Sequence, residues 1–236
     1  MKKITIIIIS LCIITFGIGY LYVNDYYHAD MDMIEAYQVN PDIEMIEKDN
    51  DYRWEVKEAT HGIIFYPGGK VDTKAYFPLM EELASKGILC VLIDMPFHLA
   101  VFDIDAAKGI QEEYLNVKQW YLAGHSLGGS MAATYLSDCE ENYQGLILLG
   151  SYSTSDLTNQ NISVLSIYGS EDQVLNKEKY QETKSNLPNM KEIVIEGGCH
   201  AYFGMYGPQD QDGIPTITNQ EQIQQTVKEI QKWMKE

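Results

Sequence analysis

The sequence predicts an α/β domain on a doubly wound, mostly parallel sheet, and three observations carry that prediction. From residue 62 to the C-terminus, short apolar runs that read as buried strands alternate with stretches that read as helices. Several runs stop at glycine, proline or aspartate clusters, where a strand hands over to its connection. The chain has 236 residues, 45% hydrophobic and 22% charged, enough for one such domain with a sizeable core.

The elements follow in order. Residues 4–23 carry no charge and follow Lys2 and Lys3, about the 20 residues that cross a bilayer as a helix. The lysines favour a cytoplasmic N-terminus, so the rest of the chain is expected outside the cytoplasm. The run ends in Tyr20-Leu21-Tyr22-Val23, suited to a membrane interface, rather than in the small residues of a cleavage site. An uncleaved single-pass anchor is the first reading and a cleaved signal segment its rival. Residues 1–23 form this segment, 24–50 an acidic stem with Pro41 and a possible N-terminal strand, and 51–236 the domain. Residues 52–59 alternate as a strand, possibly paired with 43–47. Residues 62–66 read as a buried strand, followed by the Pro67-Gly68-Gly69 turn and a helix over 73–85. Gly87 breaks the chain, and the strand 88–93 stops at Asp94-Met95-Pro96. A helix is expected over 103–114, a strand over 117–123 and a helix from Ser126 to Ser137. Strands at 145–149 and 162–168, a helix at 176–186, a strand at 192–195 and an amphipathic helix at 219–235 complete the chain.

In parallel sheets, ligands bind beyond the carboxyl ends of the strands, so chemistry is sought in the loops there. The strand 117–123 runs into Gly124-His125-Ser126-Leu127-Gly128 and then a helix. A strand that turns abruptly into a helix holds the central serine out above the sheet as a nucleophile. A serine needs a base, and the base needs an orienting group. Asp172 follows the strand 162–168, and His200 follows the last strand behind Gly197 and Gly198. The chain order Ser126, Asp172, His200 is the one this motif uses. Asp156, after the preceding strand, is the rival acid, and Asp172 also suits a helix cap. His28, His61, His98 and His125 lie in less suitable places for a base. The oxyanion needs two donors. The Leu127 N–H is one, and the turn after 62–66 supplies the other, from Gly69 first and Lys70 second. The Lys70 ammonium either attracts an anionic group or is a solvated surface charge.

The net charge of −17 repels nucleic acid and anionic lipid headgroups, so neither is an expected ligand. Of Cys12, Cys90, Cys139 and Cys199, no two form a C-x-x-C pair, which speaks against zinc or redox chemistry. No cofactor and no metal are expected.

Phe65-Tyr66-Pro67-Gly68-Gly69-Lys70-Val71, Gly124-His125-Ser126-Leu127-Gly128-Gly129 and Gly197-Gly198-Cys199-His200-Ala201 together resemble the α/β-hydrolase superfamily, from about Gly62 to the C-terminus. Within it they resemble a bacterial group of exported, membrane-anchored serine hydrolases. The resemblance implies carboxylic-ester hydrolysis with Ser126, Asp172 and His200 in the triad positions. Pro67 stands where many relatives carry a histidine, and Cys199 where a polar residue is usual. Many relatives insert a helical lid between the strands corresponding to 145–149 and 162–168. Only residues 150–161 separate them here, so an open, shallow site for a small or medium ester is expected, without a lid domain. Tyr202, Phe203 and Tyr206 either rim the site or pack the C-terminal helix, and 95–102 supplies another apolar wall. Acyl transfer to a cell-envelope acceptor and a non-catalytic anchored binding module are the alternatives to hydrolysis. Serine at 126, rather than a carboxylate or cysteine, speaks against dehalogenase and dienelactone-hydrolase chemistry.

Overall fold

Strict alternation along the central strands sends successive side chains to opposite faces, and both faces are covered. Ile63 and Phe65 enter one core layer, while Ile64 and Tyr66 enter the other. A computed structural model describes residues 2–37 and 43–236, with side chains from residue 8 onward. Pro41 and the side chains of Lys2 and Lys3 lie outside the described residues.

The elements are α1 (Lys2–Asn24), α2 (Met31–Ala36), β1 (Met45–Lys48), β2 (Asp51–Trp54), β3 (His61–Tyr66), α3 (Phe77–Ser85), β4 (Ile88–Ile93), β5 (Gln119–His125), α4 (Leu127–Asp138), β6 (Gly145–Leu149), β7 (Ser163–Gly169), α5 (Lys177–Thr183), β8 (Met190–Ile195) and α6 (Asn219–Trp233). One eight-stranded sheet has the order β1-β2-β4-β3-β5-β6-β7-β8. β1, β2 and β4 pair antiparallel, and every other neighbouring pair is parallel. The strand order reverses between β3 and β5, which opens a crevice at their carboxyl ends. The register pairs Tyr66 with Gly124, Gly124 with Leu148, Leu148 with Ser166, and Ser166 with Glu192. The loops after β3, β5, β6, β7 and β8 therefore emerge at one edge.

α3 and α6 cover the face that carries Ile63 and Phe65, and α4, with Ala132, Ala133 and Leu136, covers the other. α6 begins with a capping box: Thr218 Oγ1 accepts from the Glu221 N–H, and the Glu221 carboxylate accepts from the Thr218 N–H. Residues 25–37 lie against the domain, and Tyr37 is buried with its hydroxyl donating to Glu82 at 3.2 Å. Among the described residues, no helix is long and apolar enough to cross a membrane; described side chains of α1 begin only at Ile8.

Residues 103–114 do not form the expected helix. They make turns and one 3-10 turn, Ile110–Glu113. Gly109 sits at φ 80°, outside helical space. The buried Tyr66 hydroxyl donates to the Ile104 carbonyl at 2.7 Å and accepts from the Ala107 N–H at 2.9 Å. Tertiary hydrogen bonds thus replace the helical ladder. The helix expected over 73–85 is split for a local reason: Pro78 has no N–H to continue it, so a 3-10 turn precedes α3.

Candidate active site

β5 delivers Ser126 into the turn before α4 with φ 52° and ψ −123°. A non-glycine residue at positive φ is strained and persists only where its surroundings fix it. Here the Ser126 N–H donates to the Leu149 carbonyl at 2.9 Å, and Ser151 Oγ donates to the Ser126 carbonyl at 2.6 Å. The turn also presses on the end of β3. A Cβ on Gly128 would stand 2.3 Å from the carbonyl oxygens of Tyr66 and Pro67, so only glycine fits.

The loops after β7 and β8 bring Asp172 and His200 together. His200 Nδ1 and Asp172 Oδ2 are 2.9 Å apart, and both side chains are buried. Asp172 Oδ1 accepts the N–H groups of Val174 and Leu175 at 3.0 and 2.8 Å, which fixes the carboxylate and leaves Oδ2 for the imidazole. An acid that accepts at Nδ1 requires the proton there, so Nε2 is the free basic nitrogen. Nε2 is buried and has no hydrogen-bond partner among the described residues. His200, Ser126 and Leu127 line one cavity of about 240 Å³. Asp156 is not part of this group; its exposed carboxylate accepts from Thr158 N–H and Oγ1, bonds that hold its carboxyl below the usual value.

The loop after β3 separates its candidate donors. The Gly68 N–H donates to the Tyr76 hydroxyl at 3.0 Å, and the Lys70 N–H donates to the His98 carbonyl at 2.8 Å. Neither the Gly69 nor the Leu127 N–H donates to a protein group among the described residues. A Cβ on Gly69 would meet Leu127 Cδ2 at 2.8 Å and Cβ at 3.2 Å, so Gly69 lies against the Leu127 side chain. The Lys70 ammonium is taken by the Asp25 carboxylate at 2.8 Å.

Four contributors to this geometry carry little signal in the sequence. Gly150, after β6, has φ 51°, and a Cβ there would stand 2.9 Å from His200 Nδ1 and 3.2 Å from Asp172 Oδ2. Its one sequence signal is a glycine at a strand's carboxyl end. Gln222, buried on α6, accepts the Cys199 N–H at 2.9 Å and donates to the Cys199 carbonyl at 2.8 Å. It thereby grips the residue before His200, and burial pushes the Cys199 thiol up to about 12. Asp212 accepts the Ala201 N–H at 2.9 Å and the Gln173 N–H at 3.3 Å, tying the two loops together. His125, buried and adjacent to Ser126 in the chain, lies with its ring centroid 4.5 Å from that of His200. Burial, reinforced by His200, holds the His125 imidazole well below its ordinary value, so it is neutral.

Residues 62–224 match a family described as the alpha/beta hydrolase family. The chain belongs to it. The alpha/beta hydrolase fold is equally plain in solved structures. Est1E from Butyrivibrio proteoclasticus superposes with a TM-score of 0.60 at 17% identity, covering 81% of this chain and 98% of its own. An esterase from Pyrobaculum calidifontis gives a TM-score of 0.62 at 15% identity, covering 86% and 89%. A propionate-bound esterase, Est2 from Thermogutta terrifontis, gives 0.55 at 15% identity, covering 82% and 94%. No curated protein sequence matches the chain. As in the expected lidless alpha/beta hydrolase, the β6–β7 link carries no helical insertion.

Phe203 and Tyr206 are buried in the core layer of α6, with Tyr202 partly buried beside them, so of the two readings packing holds. A larger hollow, of about 1210 Å³, lies between residues 101–112 and 134–141; it is lined by none of Ser126, Asp172, His200, Leu127 and Gly69. Among the described residues no cluster of His, Cys, Asp and Glu is arranged to hold a metal, and all four cysteines are free.

Proposed function

We propose that the protein is a serine hydrolase that cleaves a small or medium carboxylic ester through an acyl-serine intermediate. One observation carries this reading: His200, oriented by Asp172, keeps a buried Nε2 without a protein partner among the described residues and lines the same cavity as Ser126. Ser126 Oγ attacks the ester carbonyl while His200 Nε2 takes its proton. The N–H groups of Leu127 and Gly69 stabilise the oxyanion, and Asp172 stabilises the imidazolium. Collapse breaks the bond to the alcohol, which leaves with the proton from His200. Water, deprotonated by the same nitrogen, then releases the acid and restores Ser126.

The cavity of about 240 Å³ favours a short acyl group, as does the propionate held by the structurally similar Thermogutta terrifontis esterase. We also read α1 as a membrane anchor that holds the domain on the outer side. Support comes from an uncharged run behind Lys2 and Lys3, and from the exposed side chains of Leu11, Ile13, Phe16 and Leu21.

The deciding measurement is hydrolysis of a short-chain p-nitrophenyl ester, with fluorophosphonate labelling, by the parent and Ser126→Ala proteins. Both signals are expected to vanish in the variant, by about 10⁴-fold or more for turnover. Retention of either in Ser126→Ala would overturn the reading.

A further inference from the structure

The end of α1 is fastened directly to the loops that frame the site. Behind its last turn, the Lys70 ammonium lies 4.6 Å from the Tyr22 ring centroid and 2.8 Å from the Asp25 carboxylate. The Tyr26 ring packs on His98 with centroids 3.9 Å apart. Tyr27 bridges Val71: its N–H donates to the Lys70 carbonyl and its carbonyl accepts from the Asp72 N–H, both at 2.8 Å. No free linker separates α1 from the loops after β3 and β4.

The loop after β4 is strained. Phe97 and His98 are consecutive residues at φ 56°. His98 is held there because its N–H donates to Met95 and its carbonyl accepts from Lys70. What this backbone displays is apolar. Phe97 and Phe102 are each 59% exposed and meet edge to face with centroids 5.7 Å apart, and Val101 is 44% exposed. Single exposed apolar side chains are ordinary, but here three share one strained loop beside an apolar helix.

We propose that the Phe97, Val101 and Phe102 rim is a second membrane-contacting surface, seated in the interface of the bilayer that takes α1. The proposal rests on the reading of α1 as an anchor. Continuity argues for a bilayer over a protein partner. The headgroup zone extends only about 5–8 Å beyond each side of the hydrocarbon core. A rim on the loop that is held, through Lys70 and His98, against the end of α1 cannot stand clear of that zone, and burying aromatic side chains there is favourable. The net charge of −17 disfavours anionic headgroups, so the surface suits a zwitterionic one.

The test uses the full chain carrying Phe97→Trp, reconstituted into phosphatidylcholine vesicles. The native Trp54, Trp120 and Trp233 are buried and give a constant background. Leu115→Trp is the reference: Leu115 is 79% exposed and precedes β5, at the edge of the sheet opposite the site. The indole added at 97 is expected to emit to the blue, to lose about half or more of its emission to brominated phosphatidylcholine, and to resist iodide. The indole added at 115 is expected to do the reverse. Iodide quenching at 97 as strong as at 115, in protein that floats with the vesicles, would overturn the rim and leave the anchor. Shielding from iodide without bromolipid quenching would point to contact between copies and also overturn it. Protein that fails to float would remove anchor and rim together. None of these outcomes bears on whether Ser126 hydrolyses esters.

Discussion

The Tyr76 hydroxyl and His125 Nδ1, 2.7 Å apart, join the turn that carries Ser126 to the Gly68-Gly69 loop after β3. The Tyr76 hydroxyl accepts the Gly68 N–H and also hydrogen-bonds Nδ1 of the neutral His125 ring. One buried hydroxyl therefore sets the spacing between Ser126, beside His125, and Gly69, beside Gly68.

Tyr76→Phe removes that link with almost no change in volume. The Gly68 N–H and His125 Nδ1 lose their partner, a loss of about 1–3 kcal/mol of stability. Because the loop carrying Gly69, the proposed oxyanion donor, loosens, kcat for a short p-nitrophenyl ester is expected to fall about 10-fold with KM little changed. Steady-state kinetics with a thermal melt on the same samples checks both. An unchanged kcat would show that the hydroxyl does not set the geometry of the proposed oxyanion donor at Gly69.

Gly150→Ala places a methyl group 2.9 Å from His200 Nδ1 at a residue with φ 51°. The imidazole must move, and a misplacement of about 1 Å costs roughly 10²-fold in kcat/KM. Circular dichroism is expected to show a native fold, while ester hydrolysis and fluorophosphonate labelling fall together.

Gln222→Leu strips the Cys199 N–H and carbonyl of their buried partners. At about 1–3 kcal/mol for each unsatisfied group, the melting temperature drops by roughly 5–15 °C. Gln222→Glu keeps the acceptor for the Cys199 N–H but not the donor, and should fall between the two.

The parts of the fold legible in the sequence are those set by local pattern. The runs 88–93 and 145–149 are strands at the expected residues because both of their faces are buried and nothing polar interrupts them. Asp172 and His200 were readable from position alone, as residues just past the carboxyl end of a strand. The choice of Asp172 over Asp156 was not, because it depends on where β8 lies beside β7. Residues 103–114 misled for a similar reason. Their conformation is set by the Tyr66 hydroxyl, 38 residues from Ile104 in sequence. Gly150, Gln222 and Asp212 act through contacts that no short window contains. Phe203 and Tyr206 have the composition of a binding rim, and only the course of the chain after His200 turns them into α6.

Arg53 offers a test of what holds the antiparallel edge. Its buried guanidinium donates to both Asp51 oxygens, at 2.6 and 2.8 Å, and to Glu113 at 2.7 Å, while Lys48 pairs with the same Glu113 oxygen. These bonds tie β1 and β2 to the turn at 110–113, and Arg53, followed by Lys48, holds the Glu113 carboxyl at about 2 against an ordinary 4.5. A carboxyl depressed on folding stabilises the fold fully above its ordinary value, and that stability is lost as pH falls toward the depressed value. Glu113→Gln should therefore lower stability at neutral pH, and the two proteins should converge as pH falls from about 4.5 to about 2. The Glu113 side chain is 38% exposed, so solvent screening keeps the neutral-pH difference within about 1 kcal/mol. Urea melts across that range measure it, and a gap that widened toward acid would contradict the assignment.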